Sequence, residues 1–248
     1  MSLQRRLIVI TGGTRGIGLA AAWRFAANGD AVVLVGRDPA RGAEAASALR
    51  DAGFVASSVA CDVADPASVT DLPELVRAAA GRPAEPDVLV LSAGVMSARQ
   101  AKTLRTTPEE WRRVFATNLD GAFHAISALV PPMVDRRSGR VIAVSACLGR
   151  MSGPGTSGGL APYRVSKAGL NAMTRNLAAE TGFGSRGVLV DAICPGHCRT
   201  DMGGEDAPRS AAEGAETIVW LADRAERTPD GSVVPTGLLW EDEAVVPW

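Results

Sequence analysis

The stretch LIVITGGTRGIG, residues 7–18, joins a short apolar run to a glycine-rich turn. It leads directly into the apolar segment Leu19 to Ala27, which has the length and composition of a helix. Glycines at 12, 16 and 18 let the chain turn tightly and approach a bound phosphate, and the helix N-terminus that follows favours negative charge. The stretch therefore predicts a strand, a phosphate-binding turn and a helix, although a purely structural turn is the alternative.

Apolar runs and helical segments alternate along the rest of the chain. The runs are rich in β-branched residues and nearly continuous in apolar character, which is typical of strands buried on both faces of a parallel sheet. The predicted strands are Leu7–Thr11, Ala31–Val35, Ser57–Cys61, Val88–Ser92, Arg140–Ser145 and Val188–Cys194. This alternation predicts an α/β fold with a single Rossmann-like, doubly wound parallel sheet and helices on both faces.

Several helix starts carry capping residues. Asp65 and Thr107 each precede a proline, the pattern of an N-cap followed by the first helical position. Ser210, with Glu213 three residues later, predicts a capping box.

The length of 248 residues suits one domain, 1–248, because single α/β units routinely reach this size. Two segments, near 146–162 and 197–212, interrupt the alternation directly after strand ends. Open α/β sheets bind ligands at the carboxyl ends of their strands, so both segments are predicted to be substrate loops. The tail, 231–248, is predicted to form a last short strand and a closing segment.

Charge and hydropathy narrow the class of partner. The formal net charge is −1 and no long run of Lys or Arg forms a basic patch, so we predict no nucleic-acid or membrane partner. The apolar run Leu7 to Ile10 is too short for a secretory leader, and no later segment reaches the length of a membrane span. We expect a cytoplasmic protein that acts on a small molecule.

The cysteines, Cys61, Cys147, Cys194 and Cys198, include no C-x-x-C pair. Cys194 and Cys198 lie close to His197 and suggest a metal site as an alternative role. A closed metal site needs about four ligands, and this segment offers only three crowded ones, so we predict no metal.

The end of the second predicted strand bears on the ligand of the glycine turn. The turn has the spacing Gly-x-x-x-Gly-x-Gly rather than the more familiar Gly-x-Gly-x-x-Gly, and the strand ends Val35-Gly36-Arg37-Asp38. A site for NAD would carry a carboxylate at Gly36, whereas Arg37 and Arg15 suit a 2′-phosphate through charge-assisted hydrogen bonds. We predict NADPH over NADH, with pairing of Asp38 to Arg37 as the alternative.

A second group of residues indicates acid–base chemistry. Tyr163 is the only tyrosine, and Lys167 is one of two lysines in a chain that otherwise uses arginine. The two are four apart on one predicted helix, so they share a face, and an ammonium near a phenol favours the phenolate. Ser145 ends the fifth predicted strand, and Asn118 lies in a predicted helix, where asparagine is a poor helix former. The alternatives are a surface helix pair, a strand-end hydrogen bond and a core hydrogen bond.

One ordered set of motifs combines these features: Thr11-Gly12-x-x-x-Gly16-x-Gly18, Asp62-Val63, Asn118, Ser145, Tyr163-x-x-x-Lys167 and Pro195-Gly196. The set resembles the short-chain dehydrogenase/reductase family over essentially the whole chain. The resemblance implies that Tyr163 is the general acid of carbonyl reduction. It implies that Lys167 binds the nicotinamide ribose and lowers the pKa of Tyr163. Ser145 would bond the substrate oxygen, and Asn118 would hold a water in a proton relay.

The predicted contacts of NADP(H) follow from the same resemblance and from the arginine argument. They are Gly12, Thr14, Arg15, Gly16, Ile17, Gly18, Arg37, Asp62, Val63, Ala93, Gly94, Tyr163, Lys167, Pro195, Gly196 and Thr200.

The later part of the chain is similar to a narrower group, the NADPH-dependent carbonyl reductases. The similarity lies in Cys194 to Gly204, in 213–217, in 220–222 and in the terminal Pro247-Trp248. The sequence Leu91-Ser92-Ala93-Gly94 departs from the family's usual Asn-Asn-Ala-Gly, and the span from Ser145 to Tyr163 is longer than in most members. The longer span leaves the shape of the substrate pocket open.

The oligomeric state is also left open. Most members pair through the helices that begin near Pro108 and Pro162, as dimers or tetramers, whereas carbonyl reductases with long insertions before the tyrosine can be monomers.

The leading hypothesis for function is reduction of an aldehyde or ketone with NADPH. Oxidation of a secondary alcohol is an alternative, because hydride and proton transfer run both ways, and a catalytically silent NADP-binding sensor or interaction protein is another. Apolar residues in the predicted loops favour a mostly apolar, medium-sized carbonyl substrate. The residues expected to frame its pocket are Leu148, Met151, Leu160, His197 and Met202.

Overall fold

The computed structural model describes residues 5–81, 85–98 and 101–248, so the first four residues of the predicted domain lie outside the described residues. An eight-stranded sheet has the order β3-β2-β1-β4-β5-β6-β7-β8. Its strands are β1 (Leu7–Thr11), β2 (Ala31–Gly36), β3 (Ala56–Ala60), β4 (Val88–Leu91), β5 (Gly139–Val144), β6 (Val188–Ile193), β7 (Leu239–Glu241) and β8 (Ala244–Val246). Every pairing is parallel except that of β7 with β8.

Helices connect the strands and cover both faces. They are α1 (Gly16–Ala27), α2 (Pro39–Asp51), α3 (Pro66–Thr70), α4 (Leu72–Ala80), α5 (Pro108–Phe115), α6 (Gly121–Leu129), α7 (Pro131–Asp135), α8 (Ala161–Glu180) and α9 (Ala211–Asp223). A π-helical turn, Ala116–Asp120, joins α5 to α6. Short 3₁₀ turns occupy Thr103–Arg105, Cys147–Gly149 and Gly153–Thr156.

Alternate residues of the central strands build two cores, one on each face of the sheet. Leu7 and Val9 of β1 belong to the core that includes Leu129 of α6 and Leu170 of α8. Ile8 and Ile10 point the other way, into the core formed with α1, α2 and α9. Strands with two buried faces are apolar at nearly every position, and this is why their runs are nearly continuous in the sequence. The predicted doubly wound α/β sheet is confirmed.

The predicted caps are present. Asp65 accepts a hydrogen bond from the Ala67 amide, and Thr107 accepts one from the Glu110 amide. Ser210 and Glu213 form both bonds of a capping box.

The tail differs from its prediction, because it forms two strands rather than one. A two-residue turn at Asp242 and Glu243 reverses the chain, with φ of 49° and 62°, so that β8 runs back along β7. Such turns usually carry Asn or Gly, and the acidic pair gave no turn signal. The predicted loop 146–162 is also shorter than expected, because α8 begins at Ala161.

The strand order places a crevice at the carboxyl ends of β1 and β4, where connections leave in opposite directions. Among the described residues, no helix combines the length and apolar character required to span a bilayer.

Candidate active site

The glycine turn after β1 is closely packed. The Gly12 backbone has φ of 66°, and a Cβ placed there would lie 2.7 Å from the Ala93 backbone. A Cβ on Gly18 would collide with the Gly12 carbonyl oxygen. These glycines allow the turn, the Ala93 segment and α1 to approach closely, and the Gly12 amide donates to the Val35 carbonyl at the end of β2.

The first turn of α1 faces the same crevice. Arg15 occupies the N-cap with extended backbone, yet its side chain does not cap the helix, and no acidic residue lies in the first turn. The amides at this helix end therefore remain able to bind an anion. Thr200 closes the space over Gly16, because a Cβ on that glycine would lie 3.3 Å from the Thr200 methyl group.

A single cavity of about 840 Å³ begins at this turn and continues to α8. Arg37 and Arg41 line the cavity beyond the end of β2, where the 2′-phosphate of NADPH was predicted to bind. Asp38 does not form the alternative pair with Arg37. Its carboxylate instead accepts hydrogen bonds from the Ala40 and Arg41 amides and caps α2. Arg15 also lines the cavity, where its guanidinium forms a 2.7 Å ion pair with Asp201.

The other end of the cavity holds Tyr163 and Lys167. Both side chains are buried, and the Lys167 Nζ lies 5.8 Å from the centre of the Tyr163 ring. The ammonium donates to the Val144 carbonyl across 2.7 Å, at the end of β5. Helical spacing on α8 thus brings both groups to one wall, as predicted.

Burial shifts both groups toward their neutral forms, because taking a charged group out of water is unfavourable. It raises the pKa of Tyr163 to about 12 and lowers the pKa of Lys167 to about 8. The expected lowering of the Tyr163 pKa by Lys167 is therefore opposed by burial in this structure. At neutral pH the phenol keeps its proton, which suits a proton donor.

Ser145 lies directly after β5, where it lines the cavity beside Tyr163. Its hydroxyl donates to Asn171 Oδ1 across 2.5 Å, and Asn171 Nδ2 donates to the Gly149 carbonyl. The second bond orients the amide so that its oxygen faces Ser145. Asn171 was missed by the sequence analysis, although it continues the four-residue spacing of Tyr163 and Lys167.

Asn118 lies in the π-helical turn and is buried. Its Oδ1 accepts from the Val95 amide, and its Nδ2 donates to the Val95 carbonyl and to Ser166 Oγ. The side chain therefore fastens the segment after β4 to α8. Its predicted role in a water relay stays a prediction.

The ends of β5 and β6 are joined by a disulfide between Cys147 and Cys194, a pairing that no sequence pattern indicated. The alternative metal cluster of Cys194, His197 and Cys198 is dispersed. The His197 ring bonds the Gly203 carbonyl, and the Cys198 thiol donates to the Pro195 carbonyl.

The cavity brings together most of the predicted site. The predicted residues that line it are Gly12, Thr14, Arg15, Gly16, Ile17, Arg37, Asp62, Val63, Ala93, Gly94, Ser145, Tyr163, Lys167, Pro195, Gly196 and Thr200. Gly18 and Asn118 do not line the cavity and instead support it from behind, Gly18 beneath Gly12 and Asn118 beside Gly94.

Of the predicted substrate residues, Met151 is 77% exposed and is not among the lining residues, whereas Leu148, Leu160, His197 and Met202 are. Lining residues that were not predicted from the sequence include Arg41, Met96, Thr117 and Cys147.

A family model described as short chain dehydrogenase matches residues 6–211. The chain belongs to the short-chain dehydrogenase family. It is therefore an oxidoreductase of a family that uses nicotinamide cofactors, and the predicted membership is confirmed.

Relatives of this short-chain dehydrogenase include ketone reductases. The 3-oxoacyl-[acyl-carrier-protein] reductase FabG of Escherichia coli (strain K12) is 34% identical over 203 residues, 82% of this chain and 77% of the relative. FabG of Pseudomonas aeruginosa is 35% identical over 217 residues, 86% of this chain and 83% of the relative.

Solved structures of similar proteins contain either nicotinamide cofactor. An actinorhodin polyketide ketoreductase variant with NADPH superposes with a TM-score of 0.81 at 26% identity, covering 98% of this chain and 97% of the other. A 3-oxoacyl-[acyl-carrier protein] reductase from Brucella melitensis with bound NAD gives 0.79 at 28% identity, covering 97% and 90%. Structures similar to this short-chain dehydrogenase thus hold NADPH in one case and NAD in the other.

Proposed function

We propose that the protein reduces a ketone or aldehyde to the alcohol with NADPH. The observation that carries the proposal is one continuous cavity with Arg37 and Arg41 at one end and Tyr163, Lys167 and Ser145 at the other. A cavity of about 840 Å³ is within the range that encloses a cofactor and a small substrate.

The chain offers a matching cradle for a dinucleotide phosphate. The amides at the α1 N-terminus suit the pyrophosphate, and Asp62 and Val63 line the space for the adenine. Arg37 and Arg41 present two guanidiniums that suit a 2′-phosphate, the group that separates NADPH from NADH. When bound, the cofactor supplies the hydride.

Tyr163 supplies the proton to the substrate oxygen. Its phenol is protonated at neutral pH because burial raises its pKa to about 12. As negative charge develops on the substrate oxygen, the proton moves from the phenol to that oxygen. The nearby ammonium of Lys167 stabilises the phenolate that remains.

Ser145 holds the substrate oxygen beside Tyr163. A hydroxyl has one proton, and in this structure Ser145 gives it to Asn171. Rotation about the Cβ–Oγ bond moves this donation from Asn171 Oδ1 to a substrate oxygen, and the bond to Asn171 is given up in that step. Preorganised donors of this kind stabilise developing charge most effectively in a cavity that excludes water.

The substrate end of the cavity favours a ketone with apolar substituents. Leu148, Leu160, Met96 and Met202 line this end. The curated relatives are named as 3-oxoacyl reductases, and a structural neighbour is named as a polyketide ketoreductase. A 3-oxoacyl thioester and an aryl alkyl ketone are therefore the first compounds to assay.

The test is NADPH consumption with a panel of ketones and aldehydes by the intact protein and by Tyr163→Phe. We expect kcat to fall by about a thousandfold in the variant, while NADPH affinity changes less than about threefold, because only the proton donor is removed. Equal rates for the intact protein and Tyr163→Phe would refute Tyr163 as the proton donor. Binding of NADPH without turnover of any carbonyl compound or alcohol would favour the catalytically silent sensor. Turnover of alcohols alone would favour oxidation of a secondary alcohol as the reaction.

A further inference from the structure

The disulfide of Cys147 and Cys194 lies beside the catalytic centre. Cys147 follows Ser145 by two residues, and Cys194 directly precedes Pro195, which also lines the cavity. The bond therefore links the segment that leaves the catalytic serine to the strand end that leads into the cofactor-facing loop.

The two sulfurs differ in exposure. Cys147 is partly exposed and lines the cavity, whereas Cys194 is 1% exposed and lies behind it. A thiolate that enters the cavity can reach the Cys147 sulfur and not the Cys194 sulfur. Access and the identity of the attacked sulfur decide how fast a disulfide exchanges with thiols.

The surroundings accommodate the reduced pair as well as the disulfide. Glu241 Oε1 lies 3.3 Å from the Cys147 sulfur and 3.6 Å from the Cys194 sulfur. It can accept a hydrogen bond from either thiol after reduction. Arg150 lies 3.5 Å from the other oxygen of Glu241 and holds the carboxylate in place.

Reduction would release only part of the active-site wall. Asn171 and α8 hold Gly149 independently of the disulfide, because Asn171 donates to the Gly149 carbonyl and a Cβ on Gly149 would collide with Lys167. The Ser145 hydroxyl is likewise held by Asn171. Cys147 and the adjoining Leu148 are the residues whose position depends on the bond.

We propose that Cys147 and Cys194 form a reversible thiol–disulfide site for low-molecular-weight thiols such as glutathione. A thiolate attacks the Cys147 sulfur, the bond to Cys194 breaks, and Cys194 leaves as a thiolate that takes a proton from water. A second thiolate attacks the sulfur of the first thiol in the mixed disulfide and releases Cys147, which also takes a proton. The protein disulfide gains two electrons, and two small thiols become one small disulfide.

The consequence for catalysis rests on the proposed function. Loss of the disulfide frees Cys147 and Leu148 in the wall of the cavity but leaves Ser145, Tyr163 and Lys167 in place. We expect reduction to raise KM for an apolar ketone by about threefold to tenfold, with kcat changing less than about twofold, because substrate positioning is loosened and the proton donor is not.

The experiment equilibrates the native protein in glutathione buffers of graded ratio, quenches exchange with acid, and then denatures the protein so that N-ethylmaleimide labels every free thiol, buried or exposed. Mass spectrometry then counts the label on each cysteine. Cys147 and Cys194 are expected to become labelled together, with one midpoint. In Cys194→Ser the remaining Cys147 is expected to form a mixed disulfide with oxidised glutathione, whereas in Cys147→Ser the buried Cys194 is expected to stay unmodified.

Kinetic assays of the oxidised and reduced protein complete the test, with Cys147→Ser/Cys194→Ser as a permanently reduced form and Cys198→Ser as a control on a buried free thiol. The double variant is expected to show the raised KM of the reduced protein in every buffer. Resistance of the folded protein to glutathione, labelling of both cysteines without any reductant, or an identical KM in both forms would overturn the proposal. If no carbonyl compound is turned over, the labelling still decides the thiol chemistry, so failure of the proposed function is recognised separately.

Discussion

Ser145 Oγ and Asn171 Oδ1 lie 2.5 Å apart, and both side chains are buried. The Asn171 amide also bonds the Gly149 carbonyl, so one side chain on α8 fixes a hydroxyl and the turn that follows it. Asn171 is therefore a positioning residue for Ser145 rather than a group that touches substrate.

Replacement of Asn171 by alanine is expected to lower kcat by about tenfold, because Ser145 loses the partner that orients it. The control is Asn176→Ala on the same helix, where the side chain bonds exposed Glu180. Steady-state kinetics in the wild-type and Ser145→Ala backgrounds form a double-mutant cycle. If the alanine change at 171 costs the same in both backgrounds, Asn171 does not act through Ser145.

The missed role of Asn171 shows what spacing can and cannot reveal. Tyr163, Lys167 and Asn171 share one face of α8 because they are spaced by four, and that spacing was available in the sequence. The contact with Ser145 was not, since it depends on how α8 packs across the end of β5. The disulfide was hidden for the same reason: its cysteines are separated by 47 residues, and the register of β5 with β6 brings them together.

The pH dependence of reduction is expected to reflect Lys167. Burial lowers its pKa to about 8, so the ammonium is present below that pH and is lost above it. Because the ammonium stabilises the phenolate of Tyr163, kcat/KM for the ketone should fall about tenfold per pH unit above about pH 8. A profile measured with saturating NADPH checks this, and a flat profile well above pH 8 would contradict it. Lys167→Met should lose this pH dependence together with most of the activity.

Cofactor choice is expected to depend on Arg37 and Arg41. Replacing both by alanine should lower kcat/KM for NADPH by about a hundredfold relative to NADH, since hydrogen bonds to charged groups contribute more than neutral ones. Arg24→Ala is the matched control, because that arginine pairs with Glu216 on the surface of α1 and α9. An unchanged ratio of kcat/KM for NADPH to kcat/KM for NADH would show that the two arginines do not select the cofactor.

The ion pair of Arg15 with Asp201 makes a different prediction. Both side chains are more than half exposed, so the pair itself stabilises the fold little. Asp201→Asn leaves Arg15 free to face a phosphate, and the Kd of NADPH should fall about twofold to threefold at low ionic strength. Arg15→Ala should raise it. Calorimetric titration at two salt concentrations measures both effects, and weaker binding by Asp201→Asn would contradict this interpretation.

The fold was more accessible to sequence analysis than the shape of the cavity. Strands with two buried faces are apolar at nearly every position. The glycine turn between β1 and α1 has few alternatives, because Gly12 and Gly18 must pack this closely. Arg41 lies in the first turn of α2, and its place at the cavity follows from where that helix begins. Met151 was expected in the pocket, but the 3₁₀ turns on either side of it direct it to solvent.

The burial of Lys167 has a practical consequence for handling the protein. Its one companion lysine, Lys102, is exposed, whereas Lys167 is 4% exposed and bonded to the Val144 carbonyl. An amine-directed dye or support would therefore modify only one of the chain's two lysines, without a ligand to protect the Lys167 amine. Coupling through Lys102 therefore leaves the Lys167 amine unmodified.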